Sequence, residues 1–151
     1  MKAHEIMVSE VYKVNERDTI RSVLERFVNK RISGLPVVND RNEIVGYISD
    51  GDIMRYIGKH KDIIINTFFF MELVKGDDEN FEERVKRILE LNVMKIAVTK
   101  LHKVQWNDEV EDIAAILGEK RIKKLPVERD GVLVGIISRG DVIRNSFKDL
   151  L

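Results

Sequence analysis

Two short segments of the sequence pair a serine with an aspartate three residues later. Ser49 and Asp52 form the first pair, and Ser138 and Asp141 form the second. At the start of a helix, unpaired backbone N–H groups and a serine hydroxyl can hold an anion, and a carboxylate can accept hydrogen bonds from two neighbouring ribose hydroxyls. The same spacing also fits a capping box, in which the acidic side chain bonds to the N–H of the serine. The residues alone leave both interpretations open.

An internal repeat contains both pairs. Residues 31–55 and 121–144 align at 24 positions when one turn residue is omitted from the second copy, and 13 of these positions are identical. Identity of this extent indicates a duplication. We therefore expect two related folding units within the 151 residues of the chain.

An amphipathic helix is predicted before each repeated segment. Its apolar residues recur at helical spacing, and they are Ile20, Val23, Leu24, Phe27 and Val28 in the first copy and Val110, Ile113, Ala114 and Leu117 in the second. Asp18 and Asp108 stand just before these stripes and are predicted to be the N-caps. Glu111 lies three residues after Asp108 and would complete a capping box there.

The repeated segments themselves predict hairpins. Residues 35–38 pair with 44–49 in the first copy, and residues 125–128 pair with 132–138 in the second, where Asp130-Gly131 is a strong turn signal. Short strands are expected near residues 11–14 and 102–104. Closing helices should start near Asp50 and Arg139. Each copy thus has the order strand, helix, hairpin, helix.

Residues 59–92 form an insert between the two copies. The insert contains Phe68, Phe69 and Phe70, which are expected to pack in a core, at a dimer contact or as a lid over a cleft. A helix follows, and Asp78 or Asn80 is its predicted cap. The apolar stripe of that helix consists of Phe81, Val85, Ile88 and Leu89.

The composition narrows the possible functions. Lys and Arg number 26 and Asp and Glu number 26, which disfavours a surface for direct nucleic-acid binding. Residues 119–144 nevertheless hold seven Lys and Arg against four Asp and Glu, which leaves room for one phosphate-sized basic site. The absence of Cys excludes disulfides, thiolate metal sites and a Cys nucleophile.

No membrane span, targeting signal or catalytic constellation is predicted. The most apolar stretch, residues 63–71, has nine residues, whereas a spanning helix needs about 20. His4, His60 and His102 lack ligand spacing, and no nucleophile and base are recognisable as a pair. We therefore expect a cytoplasmic protein that is not an enzyme and has no obligatory cofactor.

The two copies resemble the CBS domain, a small module first described in cystathionine β-synthase. The resemblance rests first on the segments Leu35-Pro36-Val37-Val38 and Leu125-Pro126-Val127. It rests also on the segments 46–52 (GYISDGD) and 135–141 (GIISRGD), which fit the family motif Gly-apolar-x-Ser/Thr-x-x-Asp. Two copies in tandem look like a CBS pair, or Bateman module.

This resemblance implies the fold and the kind of function. A CBS pair is an α/β (α+β) structure of two small sheets flanked by helices and related by a pseudo-twofold axis, here with repeats at 1–58 and 93–151 and a helical insert at 59–92. The family commonly binds adenosine-based ligands (AMP, ADP, ATP or S-adenosylmethionine) in clefts between the repeats, commonly dimerises, and is usually regulatory. The expected partners are therefore an adenosyl ligand, a second copy of the chain and a separate effector protein.

The resemblance also assigns roles to residues. Asp52 and Asp141 would hold ribose hydroxyls, and Ser49 and Ser138 would orient ribose or phosphate. Lys124 matches the family's basic position before the hairpin strand, and Lys123 and Arg139 would help it to offset phosphate charge, which favours a phosphate-bearing ligand. The candidates for the adenine slot are Val8, Val11, Gly34 and Leu35 in the first copy and Val98, Leu101, Lys124 and Leu125 in the second.

A purely structural explanation, without ligand binding, remains open for each of these residues. The apolar adenine candidates could be ordinary core, and the basic residues could form a solvated face. For the whole protein, the alternative is a dimerisation or protein-interaction scaffold that binds no nucleotide.

Overall fold

The computed structural model describes residues 1–59 and 80–151, and between them the backbone of two paired strands. Phe68, Phe69, Phe70 and Asp78 lie outside the described residues, so the predictions made for them stay predictions. The two strands of this middle part are β4 (Ile63–Asn66) and β5 (Met71–Val74), which pair antiparallel.

The first repeat has the predicted order of elements. A short helix, α1, precedes it, and a three-stranded sheet with strand order β1-β2-β3 carries its two flanking helices. Strand β1 pairs parallel with β2, and β2 pairs antiparallel with β3. The elements are α1 (Ala3–Ile6), β1 (Val14–Asn15), α2 (Ile20–Lys30), β2 (Gly34–Val38), β3 (Ile44–Ser49) and α3 (Asp50–Ile57).

The second repeat duplicates this arrangement. Its sheet has the strand order β6-β7-β8 with the same parallel and antiparallel pairings. Asp130 and Gly131 both have positive φ, 52° and 80°, which is the conformation of the tight turn that the dipeptide predicts. The elements are α4 (Phe81–Leu89), a 3₁₀ turn (Val93–Lys95), β6 (Val104–Gln105), α5 (Val110–Glu119), β7 (Lys124–Arg129), β8 (Val132–Ser138) and α6 (Arg139–Phe147).

Each repeat completes the core of the other. Ala3 and Ile6 of α1 pack with Leu125 and Ile137 in the core of the second repeat. In the same way, the segment before the second repeat supplies Ile88 and Val93 to the core of the first, where they pack with Leu35 and Ile48. Helix α4 is therefore an integral part of the first repeat's core, although it lies in the segment predicted to be an insert.

Backbone hydrogen bonds fix this exchange. Val8 pairs with Ile136 of β8, and Val98 pairs with Tyr47 of β3. The two pairs occupy equivalent positions in the duplicated sequence, so the exchange obeys the pseudo-twofold relation. A third cluster, formed by Val38, Ile44 and Leu133, joins the two sheets.

Several local predictions were wrong. Asp18 and Asp108 are not the N-caps, because Thr19 and Glu109 hold those positions. The two aspartates instead accept hydrogen bonds from the backbone N–H groups of Asn15 and Gln105, both at 2.8 Å, and so close the turn between strand and helix. Glu111 therefore completes no capping box with Asp108.

The predicted apolar stripes were also too wide. Val28 and Phe81 are exposed, at 76% and 55%, and Ala114 is exposed as well. On α4 the buried side chains belong to Ile88 and Arg84, whose Nε donates to the carbonyl oxygen of Ile57 at 3.1 Å. The prediction that Asn80 caps this helix is confirmed, because its side chain accepts from the N–H of Glu83 at 2.9 Å.

Candidate functional site

A cleft between the two repeats has a volume of about 400 Å³. This volume lies within the range of about 300–1,000 Å³ that is typical of small-molecule sites. The first repeat contributes Ser33, Tyr47, Ser49, Asp50, Gly51, Asp52 and Arg55, and the second contributes Val98, Lys100, Leu101, His102, Arg121, Ile122, Lys123, Lys124 and Pro126. We refer to it as the Asp52 cleft.

The capping box of the first motif is formed in this cleft. The backbone N–H and the hydroxyl of Ser49 both donate to Asp52 Oδ2, at 2.9 and 3.1 Å, and Asp52 Oδ1 forms an ion pair with Arg55. The Asp52 side chain is 6% exposed at the start of α3. A carboxylate offers about four lone-pair positions, so these contacts leave Asp52 able to accept a further hydrogen bond.

The second motif has the same internal geometry but a different position. Ser138 N–H and its hydroxyl donate to Asp141 Oδ2 at 2.8 and 2.9 Å, and Arg144 lies 3.3 Å from Oδ1. Neither Ser138 nor Asp141 lines the Asp52 cleft. Both motifs therefore form a capping box, but only the first motif lies in the Asp52 cleft.

The basic residues divide in a similar way. Lys123 and Lys124, which are predicted to contact phosphate, line the Asp52 cleft. Lys100 and Arg121 line it as well. Among the described residues, none of these four side chains has an ion-pair partner. Uncompensated positive charge of this density attracts an anion.

Arg139 does not join them. Its guanidinium donates to the carbonyl oxygens of Leu117 and Lys120, at 3.0 and 3.2 Å. These carbonyls lie at the end of α5, where a cation favourably meets the negative end of the helix dipole. Arg139 therefore caps the end of α5 and does not line the Asp52 cleft.

The adenine candidates are also split. Val98 lines the cleft and is 43% exposed, and Leu101 lines it beside Val98. Leu35 and Leu125 are completely buried in the two cores, so their side chains cannot meet a ligand in the cleft. The side chains of these two leucines belong to the hydrophobic cores.

The remaining candidates lie outside the Asp52 cleft. Val8 is 45% exposed and occupies the position that is equivalent to Val98. Val11 packs against the cluster that joins the two sheets. Gly34 is buried beneath the phenol of Tyr47, because a Cβ at this position would lie 2.9 Å from Tyr47 Cε1.

Tyr47 is the most informative cleft residue that the sequence did not predict. Burial raises the pKa of its phenol to about 12, and the negative charges of Asp50 and Asp52 act in the same direction. The ring is therefore neutral at physiological pH and presents an apolar wall with one hydroxyl. The family motif did not indicate that Tyr47 lines the cleft, because the motif requires only an apolar residue at this position.

Lys100, His102 and Arg121 were missed for a different reason. They lie on the segments 98–102 and 121–124, which reach the cleft only because the second repeat packs against the first. The 90-residue offset placed Val98 and Leu101 opposite Val8 and Val11 in the sequence, but it does not indicate which motif residues 98–102 face.

Two classes of site find no support in the described part of the chain. No group of three or more His, Asp or Glu side chains in residues 1–59 and 80–151 could hold a metal ion. Within the same residues, no helix is long and apolar enough to cross a membrane.

The profile of the CBS domain matches residues 3–59 and 96–148, which is more than half of the chain and covers both repeats. The chain belongs to the CBS domain family. It is a tandem CBS pair, as the motifs predicted, and CBS pairs are generally regulatory modules and not catalytic ones.

Relatives of this CBS pair come from archaea and plants. The uncharacterized protein MJ1426 of Methanocaldococcus jannaschii is 31% identical over 151 residues, covering 95% of this chain and 89% of that protein. The chloroplastic CBS domain-containing protein CBSX1 of Arabidopsis thaliana is 31% identical over 139 residues, covering 89% of this chain. The chain spans 58% of the length of CBSX1 and of its chloroplastic relative CBSX2.

Solved structures confirm the fold. CBSX2, crystallised in complex with AMP, superposes with a TM-score of 0.73 at 24% identity, over 99% of this chain and 98% of that one. The CBS-domain containing protein ATU1752 from Agrobacterium tumefaciens gives a TM-score of 0.70 at 17% identity, over 97% of this chain and 100% of that one. At these identities the likeness establishes the CBS-pair architecture alone.

The contact between Gly34 and Tyr47 yields a testable prediction. We expect Gly34→Ala to lower the free energy of unfolding by about 1–3 kcal/mol, the range for overpacking, because the new methyl group forces the Tyr47 ring to move. The change is measured by urea denaturation followed by circular dichroism.

Two further variants serve as controls. Gly140→Ala adds the same methyl group in the first turn of α6, where its Cβ would meet only Ser138 Oγ at 3.6 Å, and should be neutral or stabilise by up to about 1 kcal/mol. Adding Tyr47→Ile, which copies the equivalent Ile136, should restore most of the stability that Gly34→Ala loses. Wild-type stability of Gly34→Ala alone would contradict this packing.

Proposed function

We propose that this CBS pair binds an adenine nucleotide (AMP, ADP or ATP) in the Asp52 cleft and regulates a partner in response. One observation carries the proposal: the cleft joins a helix-start aspartate from one repeat to four cations from the other that have no ion-pair partner within residues 1–59 and 80–151. These are complementary to the two polar parts of a nucleotide, its ribose hydroxyls and its phosphates.

Asp52 and Ser49 are proposed to hold the ribose. Asp52 already accepts from Ser49 and pairs with Arg55, so its position is fixed before a ligand arrives. A rigid acceptor loses little conformational entropy on binding. A hydrogen bond to a charged group contributes about 1.5–3 kcal/mol, which is the share we assign to the contact between Asp52 and the ribose.

Lys123, Lys124 and Arg121 are proposed to hold the phosphates. They line the same cleft as Asp50 and Asp52 but come from the other repeat, so we place the ribose toward α3 and the phosphates toward the start of β7. S-adenosylmethionine carries a sulfonium cation and no phosphate, and it matches this surface less well. The adenine ring would rest against Val98, Leu101 and the Tyr47 ring.

Binding across the repeats suggests how the signal is passed on. A ligand that contacts both repeats favours those arrangements in which they lie close together, and it can shift the population only by its difference in affinity between arrangements. We propose that an effector protein reads this shift. Catalysis, direct nucleic-acid binding and an obligatory cofactor are no part of the proposal, and the cytoplasm remains the predicted location.

A thermal-shift screen with AMP, ADP, ATP and S-adenosylmethionine tests the proposal. A ligand at 100 times its dissociation constant should stabilise the fold by about 2.7 kcal/mol, and the phosphate-bearing ligands should act most strongly. No shift with any adenosyl ligand would contradict nucleotide binding and would leave the scaffold alternative in place.

The scaffold alternative has an observation of its own. Helix α6 and the residues after it expose large apolar side chains, including Ile143 at 59% and Phe147 at 47%. A groove beside them is lined by Ala114, Leu117, Gly118, Arg139, Val142 and Ile143. We propose that a second copy of the chain packs on this surface, whether or not a nucleotide binds.

Sedimentation equilibrium tests the proposed dimer. Wild-type protein should sediment as a dimer, and Ile143→Lys should shift it to monomer, because the new charge would have to be buried. Glu111→Lys changes an exposed residue near the other end of α5 and should remain dimeric. A monomeric wild-type chain would contradict the dimer.

A further inference from the structure

The duplication supplies a second potential cleft for comparison. Every residue of the Asp52 cleft has a counterpart in the other repeat, 90 residues away before the turn and 89 after it. Asp141 is the counterpart of Asp52, and Ile136 is the counterpart of Tyr47. The two clefts can therefore be compared residue by residue.

The two clefts differ in the charge of the residues that line them. Lys100, Lys124 and His102 of the Asp52 cleft correspond to Glu10, Gly34 and Tyr12. The second cleft therefore has an acidic residue in place of Lys100 and an uncharged residue in place of Lys124. Both Ser33 and its counterpart Lys123 line the Asp52 cleft, so this pair does not distinguish the two sites.

Two of the other basic residues on the Asp141 side, Arg139 and Arg144, are already engaged. Arg144 pairs with Asp141 itself, and Arg139 donates to the carbonyl groups at the end of α5. Arg31, the counterpart of Arg121, has no ion-pair partner among the described residues, but Glu10 supplies an opposing charge. The second cleft therefore offers little net attraction to a phosphate chain.

The charge of the Asp52 cleft also indicates the class of nucleotide. Five Lys or Arg and two Asp line it, and the ion pair with Arg55 compensates Asp52. Asp50 offsets one of the other four cations, so five positive and two negative side chains leave a net charge of +3. One phosphate group carries about −1.5 to −2 charges at pH 7, which is too little to offset that net charge, and a chain of two or three phosphates matches it better.

We infer that this CBS pair binds one nucleotide per chain, in the Asp52 cleft, and that the nucleotide carries at least two phosphates. The inference rests on the proposed function, because it presupposes that the cleft binds adenine nucleotides. It adds the stoichiometry and the ligand class. The Asp141 motif then serves only to cap α6.

Isothermal titration calorimetry of the full chain with AMP, ADP and ATP, in buffer without divalent cations, tests the inference. We expect one site per chain. We also expect ATP to bind at least about tenfold more tightly than AMP, since one additional charge-assisted hydrogen bond is enough for that ratio.

Two matched pairs of variants locate the site. Asp52→Asn and Asp141→Asn remove the same capping charge from equivalent helices, so their losses of stability should be alike. Only Asp52→Asn should weaken ATP binding, by about tenfold or more. Lys100→Glu should reduce the preference for ATP over AMP, whereas Glu10→Lys, the mirror change in the other repeat, should leave that preference unchanged.

The possible failures are distinguishable. Two sites per chain, equal affinity for AMP and ATP, or equal losses from Asp52→Asn and Asp141→Asn would each overturn the inference while leaving nucleotide binding intact. Absence of binding by all three nucleotides to the folded wild-type chain would overturn both the inference and the proposed function.

Discussion

The reciprocal backbone pairing between the repeats is the constraint on which the rest of the structure depends. Tyr47 and Val98 exchange two hydrogen bonds of 2.9 Å, and Val8 and Ile136 exchange two of 2.9 and 3.0 Å. These bonds satisfy backbone groups that each three-stranded sheet would otherwise leave open at its edge. Because each repeat also lends apolar side chains to the core of the other, neither sheet is complete alone. The same pairing brings residues 98–102 of the second repeat to the helix start at Asp52.

Duplication followed by divergence explains why two similar halves differ at the cleft. The capping geometry of the two motifs is nearly identical, with Ser N–H to Asp distances of 2.9 and 2.8 Å, because both helices need the same cap to begin. Lys100 and its counterpart Glu10 are exposed and meet no comparable structural demand, whereas Gly34, the counterpart of Lys124, must remain small beneath the Tyr47 ring. The resulting charge asymmetry distinguishes a candidate binding site from a structural cap.

The sequence predicted the elements of each repeat well and their combination poorly. Hairpins, closing helices and the Asp130-Gly131 turn follow from local patterns, and the structure confirms them. The composition of the cleft depends on segments about 50 to 75 residues apart in the chain, which periodicity cannot reveal. Arg139 shows the limit most clearly: its position within the motif indicated a ligand contact, but the nearby end of α5 offered it carbonyl acceptors. Leu35 and Leu125 show a second limit, because their position in the motif does not reveal that their side chains are completely buried in the core.

The proposed nucleotide binds to both repeats at once. Hydrogen–deuterium exchange of the full chain, measured with and without saturating ATP, tests this binding mode because it reports each segment separately. We expect slower exchange at residues 49–52 of the first repeat together with residues 98–102 and 121–124 of the second, and little change around Asp141. Protection confined to one repeat, or protection centred on residues 138–141, would contradict it.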